Sequence, residues 1–539
     1  MAVAKVGMAI EITIFVGNLK AYPAMVGQHF TSGPVAHCLA KLVPAQHFYQ
    51  CLDQAVDFSF VRPLFTPYYS AIGRPSLDPV VFFKLLLVSH FENITSDRKL
   101  IELAGLHLGI RSFLGYELHQ ALPWHSTLSR TRQRIPVAVF EECFSHIVGL
   151  CIQKGLVSGH TQVIDSAYIK ANASISRLKI KQASWNTDTN SRLSKPKESR
   201  LNASKGRLQH IYRFHTAIQK ATSQKAGQLL SNLTHYSPTD PDARIGVKPG
   251  KQRMLAYLAN LSVDSTRHVI THIHADYADR RDSRYLLAMV DQTQARLSSF
   301  GVTMVNVVAD SGYGSGQNYQ QLEQRGIQGY IPPHGKYKPD RKGFSYDATT
   351  DSYRCGQQKV LAFDKVVIDK EGNLKKRYRA KASDCKACRV GQQCKGKKAS
   401  EKRLHHTLYK AQYERMAERL SSRFGKRMMR LRSATVEPVL GSLINYYGLR
   451  KIGVRGQAGA AKVMYLAAMA YNLKKYLHYQ TGKCLSQASA MVVHLTNGFL
   501  YLRTFATATT IMLRDSSQNQ CYSHFRPLLT KYKFYSPTF

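Results

Sequence analysis

Apolar residues fall along the chain in runs of different period. From about residue 41 to 157 they recur at helical spacing. "GRPSLDPVVFFKLLLVSHFENI" opens on turn signals and continues as a long apolar helix. "TSDRKLIELAGLHLGIRSFLG" follows, with Ser96 or Thr95 as N-cap and Gly115 as the stop. In "PWHSTLSRTRQRIP", Ser126 is placed to cap a short helix carrying Arg130, Arg132 and Arg134. From 158 to 335 strands alternate with helices. "HTQVIDSAYIKA" predicts a strand ending in Asp165. "RMLAYLANLSVD" and "RHVITHIHAD" predict two more, joined by the turn Asp264-Ser265-Thr266. "SRYLLAMVDQTQARLSSFG" reads as an amphipathic helix, "VTMVNVVAD" as a strand ending in Asp310, "GQNYQQLEQRG" as a helix and "IQGYIPP" as a short last strand. Turns, basic residues and four cysteines break the pattern over 336–405. Helical periodicity returns with "HHTLYKAQYERMAERLSSRFGKRMMRLRS" and runs to about residue 480. Residues 1–40 carry little pattern and are read as a loosely ordered leader, and 481–539 as a tail.

Charge changes this picture most. The chain has 539 residues, enough for two or more domains, with 76 Lys+Arg against 34 Asp+Glu and a formal net charge of +42. Such an excess attracts polyanions, with nucleic acid first and an anionic membrane as the rival. The most apolar long window, 491–512, is interrupted by His494, Asn497 and Arg503, and the apolar N-terminal run contains Glu11. A soluble, cytoplasmic, nucleoid-associated protein is therefore expected, with no membrane partner. Helix, turn and basic helix over 95–134 suit a helix-turn-helix reader of duplex DNA, or else a bundle with a solvated basic face. The acid-poor stretch 177–213 suits a DNA-contacting arm or a disordered loop.

In so basic a chain three carboxylates stand out. Asp165 and Asp310 lie at predicted strand ends, and Glu437 precedes Pro438. Proline is cheap only in a helix's first turn, where its missing N–H has no partner anyway, so Thr435 as N-cap would place Glu437 in that turn. A kinked longer helix is the other option, because a residue before proline disfavours helical dihedrals. The element order predicts an α/β chain. It would have an RNase H-like mixed-sheet catalytic core, a helical N-terminal DNA-binding domain and a small insertion subdomain. Its parts are expected at 41–157 (helical), 158–335 and 406–480 (core) and 336–405 (insertion). Carboxylates so placed suit two Mg²⁺ or Mn²⁺ ions roughly 3.5–4 Å apart. Hard oxygen ligands match these ions.

"VIDSAYIKA", "VVADSGYGSGQN" and "RSATVEPVLG", with "AYNLKKYL" beyond, resemble the three blocks of DDE transposases from bacterial insertion sequences. The stretch "GRPSLDPVVFFKLLL…SDRKLIELAGLHLGIRSFLG…HSTLSRTRQRI" resembles the helical N-terminal domain of one large group of them. The resemblance spans about residues 60–480. It implies that Asp165, Asp310 and Glu437 bind two metal ions and that the protein cuts and joins DNA at element ends. Double-stranded DNA would be its partner, both terminal inverted repeats and target, handled by a homodimer in a synaptic complex. Many relatives carry a Lys seven residues after the Glu, and this sequence has Ile444 there. Arg432, Arg450 and Lys451 are the candidates to take its place at the DNA. The rival readings are an RNase H-like nuclease that cleaves without joining, and a non-catalytic DNA-binding remnant.

Cys355, Cys385, Cys388 and Cys394 fall in the insertion, and C-x₂-C followed by a further Cys has structural-zinc character. A Zn²⁺ held by these four would staple a segment too polar to build its own core, with His405 or His406 as substitute ligands. Otherwise they are reduced thiols in a basic subdomain.

Overall fold

The computed structural model describes residues 39–69, 76–181, 230–247, 252–335, 341–369, 372–396 and 399–479. The leader, most of the basic stretch 177–213 and the window 491–512 lie outside the described residues.

The helical region follows its sequence signals closely. Helix α1 (Pro79–Phe91) starts where Asp78 Oδ1 accepts the N–H groups of Val80 and Val81, with Pro79 in the first turn. It is apolar on all sides and buries Phe82, Phe83, Leu85, Leu86, Leu87 and Val88, so it forms the centre of this region. The next stretch is two helices where one was expected. α2 (Asp97–Leu106) is capped by Ser96, and α3 (Leu108–Leu114) ends at Gly115, whose φ of 75° is left-handed. The break is His107, which is extended and whose Nδ1 accepts the N–H of Ile110. α4 (His125–Arg134) begins at His125 without a side-chain cap, so Ser126 lies inside it and does not cap it. α5 (Val137–Gln153) follows at 94° to α4. Among the described residues no single helix is long and apolar enough to cross a membrane, although α4 and α5 pass as one bent pair.

The central sheet contains β1 (Thr161–Lys170), β2 (Arg244–Gly246), β3 (Met254–Asp264), β4 (Ile270–Tyr277), β5 (Asn306–Ala309) and β6 (Gln328–Tyr330). Its order is β4-β3-β1-β5-β6, with β3 antiparallel to β1 and β4, and β5 and β6 parallel to β1. β2 pairs with Met254–Ala256 and β4 with Tyr257–Val263, so the two lie end to end along the outer side of β3. This is the strand order of an RNase H-like fold. All of β3 after Met254 is buried, as expected of a central strand covered on both faces. Helix α6 (Leu286–Ser298) packs on β3 and β4, and α7 (Gly316–Gln324) leads into β6.

The region 336–405 departs most from expectation. It is a five-stranded antiparallel meander, β7 (Phe344–Asp347), β8 (Ser352–Cys355), β9 (Val360–Ile368), β10 (Leu374–Ala380) and β11 (Arg403–Thr407), paired in chain order. Two one-turn helices, Ala382–Lys386 and Gly391–Lys395, join β10 to β11. It also has its own small core of Tyr353, Leu361, Tyr378 and Ala380. The expectation that it lacks one is thereby corrected. That core is largely aromatic and hydrogen-bonded, a pattern that apolar periodicity does not reveal. Asp351 accepts from Tyr346, Tyr378 and Lys376, and both ring nitrogens of His406 face tyrosine hydroxyls, at 2.9 Å (Tyr353) and 3.0 Å (Tyr378).

After the meander come α8 (Lys410–Ser421), α9 (Arg423–Tyr446) and a helix over 457–479, α10. Ser422 breaks α8 from α9 and caps α9 by accepting the N–H of Gly425. Helix α9 lies along β1, β3, β5 and β6. The helical region is tied to this body by hydrogen bonds. Arg296 of α6 bonds Glu141 and Ser145 of α5, and Lys462 of α10 bonds the Arg132 carbonyl. His90 and Asn93 bond the backbone in the last turn of α9, at Asn445, and just past it, at Tyr447 and Gly448.

Candidate active site

Asp165 lies within β1, not at its end. Its neighbour β5 pairs with β1 only as far as Ile164↔Ala309. β1 therefore runs on past the end of β5, and Asp310 follows the last paired residue on the adjacent strand, beside Asp165. The sheet opens at this point, and two carboxylates stand at the opening. Asp310 Oδ1 accepts the N–H of Gly312 at 2.9 Å and caps the short 3₁₀ turn Ser311–Tyr313.

Glu437 comes from the middle of α9. The first-turn placement is corrected: α9 begins at Arg423, Thr435 is buried within it, and Thr435 Oγ1 has no hydrogen-bond partner among the described residues. Pro438 deprives the Ala434 carbonyl of its helical donor. The helix continues because its buried face, Met428, Val436, Val439 and Leu443, spans the proline and packs into the core.

Arg432, on the same helix, joins two of these acids. Its Nη1 lies 2.9 Å from Asp165 Oδ2 and its Nη2 3.4 Å from Glu437 Oε1. The Arg432 and Asp165 side chains are 17% and 16% exposed, and that of Glu437 is 60% exposed.

Beneath the opening lies Tyr313, fully buried, its hydroxyl 3.4 Å from Asn260 Oδ1. Burial, and then the negative charges of Asp282, Asp165 and Asp310, push its phenol well above the usual range, so it stays neutral. The same phenol thus feels three aspartates. Sequence reasoning missed Asp282. It sits at the start of the 3₁₀ turn Asp282–Arg284, and its Oδ1 accepts from Ser166 Oγ at 3.1 Å. A Cβ built on Gly312 would lie 3.0 Å from both Asp282 Oδ2 and Asp310 Oδ1. Glycine is what lets these two carboxylates close over the turn. The signal in the sequence was "DYADRRDSRY", an acid cluster in an acid-poor chain, just before the crossover helix.

The other candidates scatter. Arg130 and Arg134 are exposed on α4, but Arg132 turns inward to a two-pronged ion pair with Asp97, at 2.7 and 3.2 Å. Arg450 and Lys451 are exposed, and Lys451 bridges to Lys170 at the end of β1. Ile444 is half-buried against the core. Arg423, Lys426, Arg427 and Arg430 are exposed on α9 ahead of Glu437, a basic stripe that was not singled out from the sequence.

In the meander, Cys355, Cys385, Cys388 and Cys394 are unbridged thiols lining one cavity of about 30 Å³. His406 is no spare ligand, since tyrosines engage both its nitrogens. Among the described residues no group of three or more His, Cys, Asp or Glu side chains is arranged to hold a metal ion.

Comparison with known proteins brings two family matches. Residues 37–134 match "Transposase domain (DUF772)", and residues 354–477 match "Transposase DDE domain". The second contains Glu437, whereas Asp165 and Asp310 lie outside both. No curated protein matches. Among solved structures, a cryo-EM structure of the piggyBac transposase synaptic complex with hairpin DNA aligns over 81% of this chain and 77% of that one, at 9% identity and a TM-score of 0.31. Two separate stretches of this chain are thus similar to transposase domains, in the order in which the sequence motifs occur.

Proposed function

We propose that this protein carries out divalent-metal-dependent cleavage and strand transfer of DNA at the ends of an insertion sequence, with Asp165, Asp310 and Glu437 as its catalytic acids. The observation that carries this reading is the register Ile164↔Ala309, which sets Asp165 beside Asp310 where the sheet opens, together with Arg432, which links Asp165 to Glu437. The donor set suits Mg²⁺ or Mn²⁺ in its chemistry, although the three side chains are not gathered into a ligand group among the described residues. It consists of carboxylate oxygens, the Arg432 guanidinium already stands between two of them as a cation, and the Gly312 turn leaves room where a Cβ would meet two more. When bound, such an ion lowers the pKa of the attacking water or hydroxyl and stabilises the leaving oxygen. The chain's own residues hold the carboxylates in place, through Ser166 N–H and Arg432 on Asp165 and Gly312 N–H on Asp310.

Double-stranded DNA, at the terminal inverted repeats and the target, is the proposed partner, and a homodimer the proposed assembly. Exposed Arg130 and Arg134 on α4 and the α9 stripe supply phosphate contacts. A separate structural Zn²⁺ is also proposed: the four thiols line one cavity, though not as a formed ligand group, and thiolates suit that ion and not magnesium. Metal analysis of the purified chain should find about one zinc, lost in a Cys385→Ser/Cys388→Ser variant.

The deciding experiment uses element-end DNA. Asp165→Ala, Asp310→Ala and Glu437→Ala should each cut cleavage roughly a thousandfold or more while leaving DNA binding in place. Near-normal cleavage by any one removes that residue from the site. Cleavage without joined product in the wild-type chain would make it a nuclease. Binding with no cleavage would make it a remnant, a reading that Ile444 at the usual lysine position favours.

A further inference from the structure

Arg432 reaches two carboxylates that belong to different elements, and it grips them unequally. Asp165 is held at 2.9 Å within a largely covered pair, while Glu437 is held at 3.4 Å with most of its side chain in solvent. A planar guanidinium is suited to two acceptors at once, and it never loses its charge. The charge of Asp165 reaches buried Tyr313, as do those of Asp282 and Asp310. The site therefore concentrates negative charge in a partly desolvated place, and Arg432 supplies a compensating positive charge.

We propose that Arg432 is a built-in counter-ion that closes the metal site of the DNA-free protein. It would compete with a divalent cation for Asp165 and then swing to the DNA phosphate when both arrive. This rests on the assignment of Asp165 and Glu437 as metal-holding acids. Three observations argue for it. The guanidinium takes the Asp165 oxygen that a metal would need. Its hold on Glu437 is long and exposed, so that arm releases first. Its helix also displays Arg423, Lys426, Arg427 and Arg430 on its solvent face in the turns before Arg432, so DNA phosphate drawn to that face comes to the helix that carries Arg432. Metal and DNA would then each ease the entry of the other, because both draw on the release of a single side chain. Arg432 acts as a positioning residue before reaction and as a phosphate contact during it.

The test measures Mn²⁺ binding to the full chain without DNA, by loss of the free-ion electron paramagnetic resonance signal. Arg432→Gln should bind Mn²⁺ about tenfold more tightly than the wild type, about 1.4 kcal/mol. It should also lose most of the gain in Mn²⁺ affinity that end DNA confers on the wild type. Unchanged or weaker Mn²⁺ binding by the folded variant overturns the proposal, since a purely structural ion pair would not restrain the metal. If Arg432→Gln fails to fold, Arg432→Lys serves. It keeps a charge but loses the fork, so it should shift affinity in the same direction by less, and an unshifted value counts against the counter-ion role. Asp310→Asn reads the underlying assignment separately. Loss of Mn²⁺ binding there, with no change in Arg432→Gln, sinks the counter-ion and leaves the metal site standing. No specific Mn²⁺ binding by wild type or Arg432→Gln sinks both.

Discussion

The two sheets of this protein are built from opposite materials. The central sheet is apolar: all of β3 after Met254 is buried, and the face of α9 laid against the sheet is Met428, Val436, Val439 and Leu443. The meander exposes most of β9, including Val360, Phe363, Val366 and Ile368, and closes its interior with tyrosines, Asp351 and His406. An apolar sheet holds its strand ends rigidly, which suits the placing of carboxylates. A small sheet with a hydrogen-bonded aromatic interior depends on the protonation state of a few groups and is weaker wherever one of them is lost.

The sharpest way to break this contrast is to truncate one leucine in each sheet. Leu261 pairs opposite Asp165 and is fully buried, and Leu261→Ala should cost about 2–5 kcal/mol and lower the main melting transition. Leu361→Ala, in the meander, should disturb a separate, smaller transition and leave the main one nearly in place. If calorimetry of the full chain shows both variants lowering one shared transition equally, the two sheets are a single cooperative body.

A smaller effect is expected from one hydroxyl. Tyr378 donates to Asp351 at 2.6 Å and meets His406 Nε2 at 3.0 Å. Tyr378→Phe removes one of Asp351's three donors and the hydroxyl that faces His406 Nε2, and should destabilise the meander by about 1–2 kcal/mol. A chemical-denaturation midpoint for the meander equal to that of the wild type would show that the ring, not the hydroxyl, holds this interior.

The smallest expected effect is a response to pH. Burial, then the charges of Lys410 and Lys376, push His406 down to about 4 from the ordinary 6.5. A folded pKa below the unfolded one means that the unfolded chain takes up the proton first. Stability from neutral His406 is therefore complete above 6.5 and drains away as pH falls from there toward about 4. Asp351 adds to this further down: burial raises it, but bonds from Tyr378, Lys376 and Tyr346 outweigh that and hold it at about 2. A magnetic-resonance titration of the His406 ring with a midpoint near 6.5 would contradict the buried, tyrosine-bound placement.

The same contrast explains what the sequence revealed. The strands and helices of the central body were legible because burial had selected Val, Ile, Leu and Ala at regular spacing. Asp165, Asp310 and Glu437 were noticed because acids are rare here. Their settings were less legible. β1 continues past Asp165 because its antiparallel partner β3 is long, which is a fact about another strand. α9 continues through Pro438 because its covered face outweighs one lost hydrogen bond. The meander was invisible because its interior is written in Tyr, His and Asp. Asp282 was passed over because it is distant in sequence from the motif blocks and meets the site through Ser166 and the turn at Gly312, contacts that the fold creates.

The bonds from His90 and Asn93 to the backbone at and just past the end of α9 have a consequence of scale. They fasten the helical region to the end of the very helix that carries Glu437, leaving little slack between them. A protein built this way is a ruler. On the function proposed above, duplex gripped by the helical region would be held at a fixed offset from the acids, so the place of a cut would be counted out in base pairs from the place of capture and not chosen by the sequence at the cut itself.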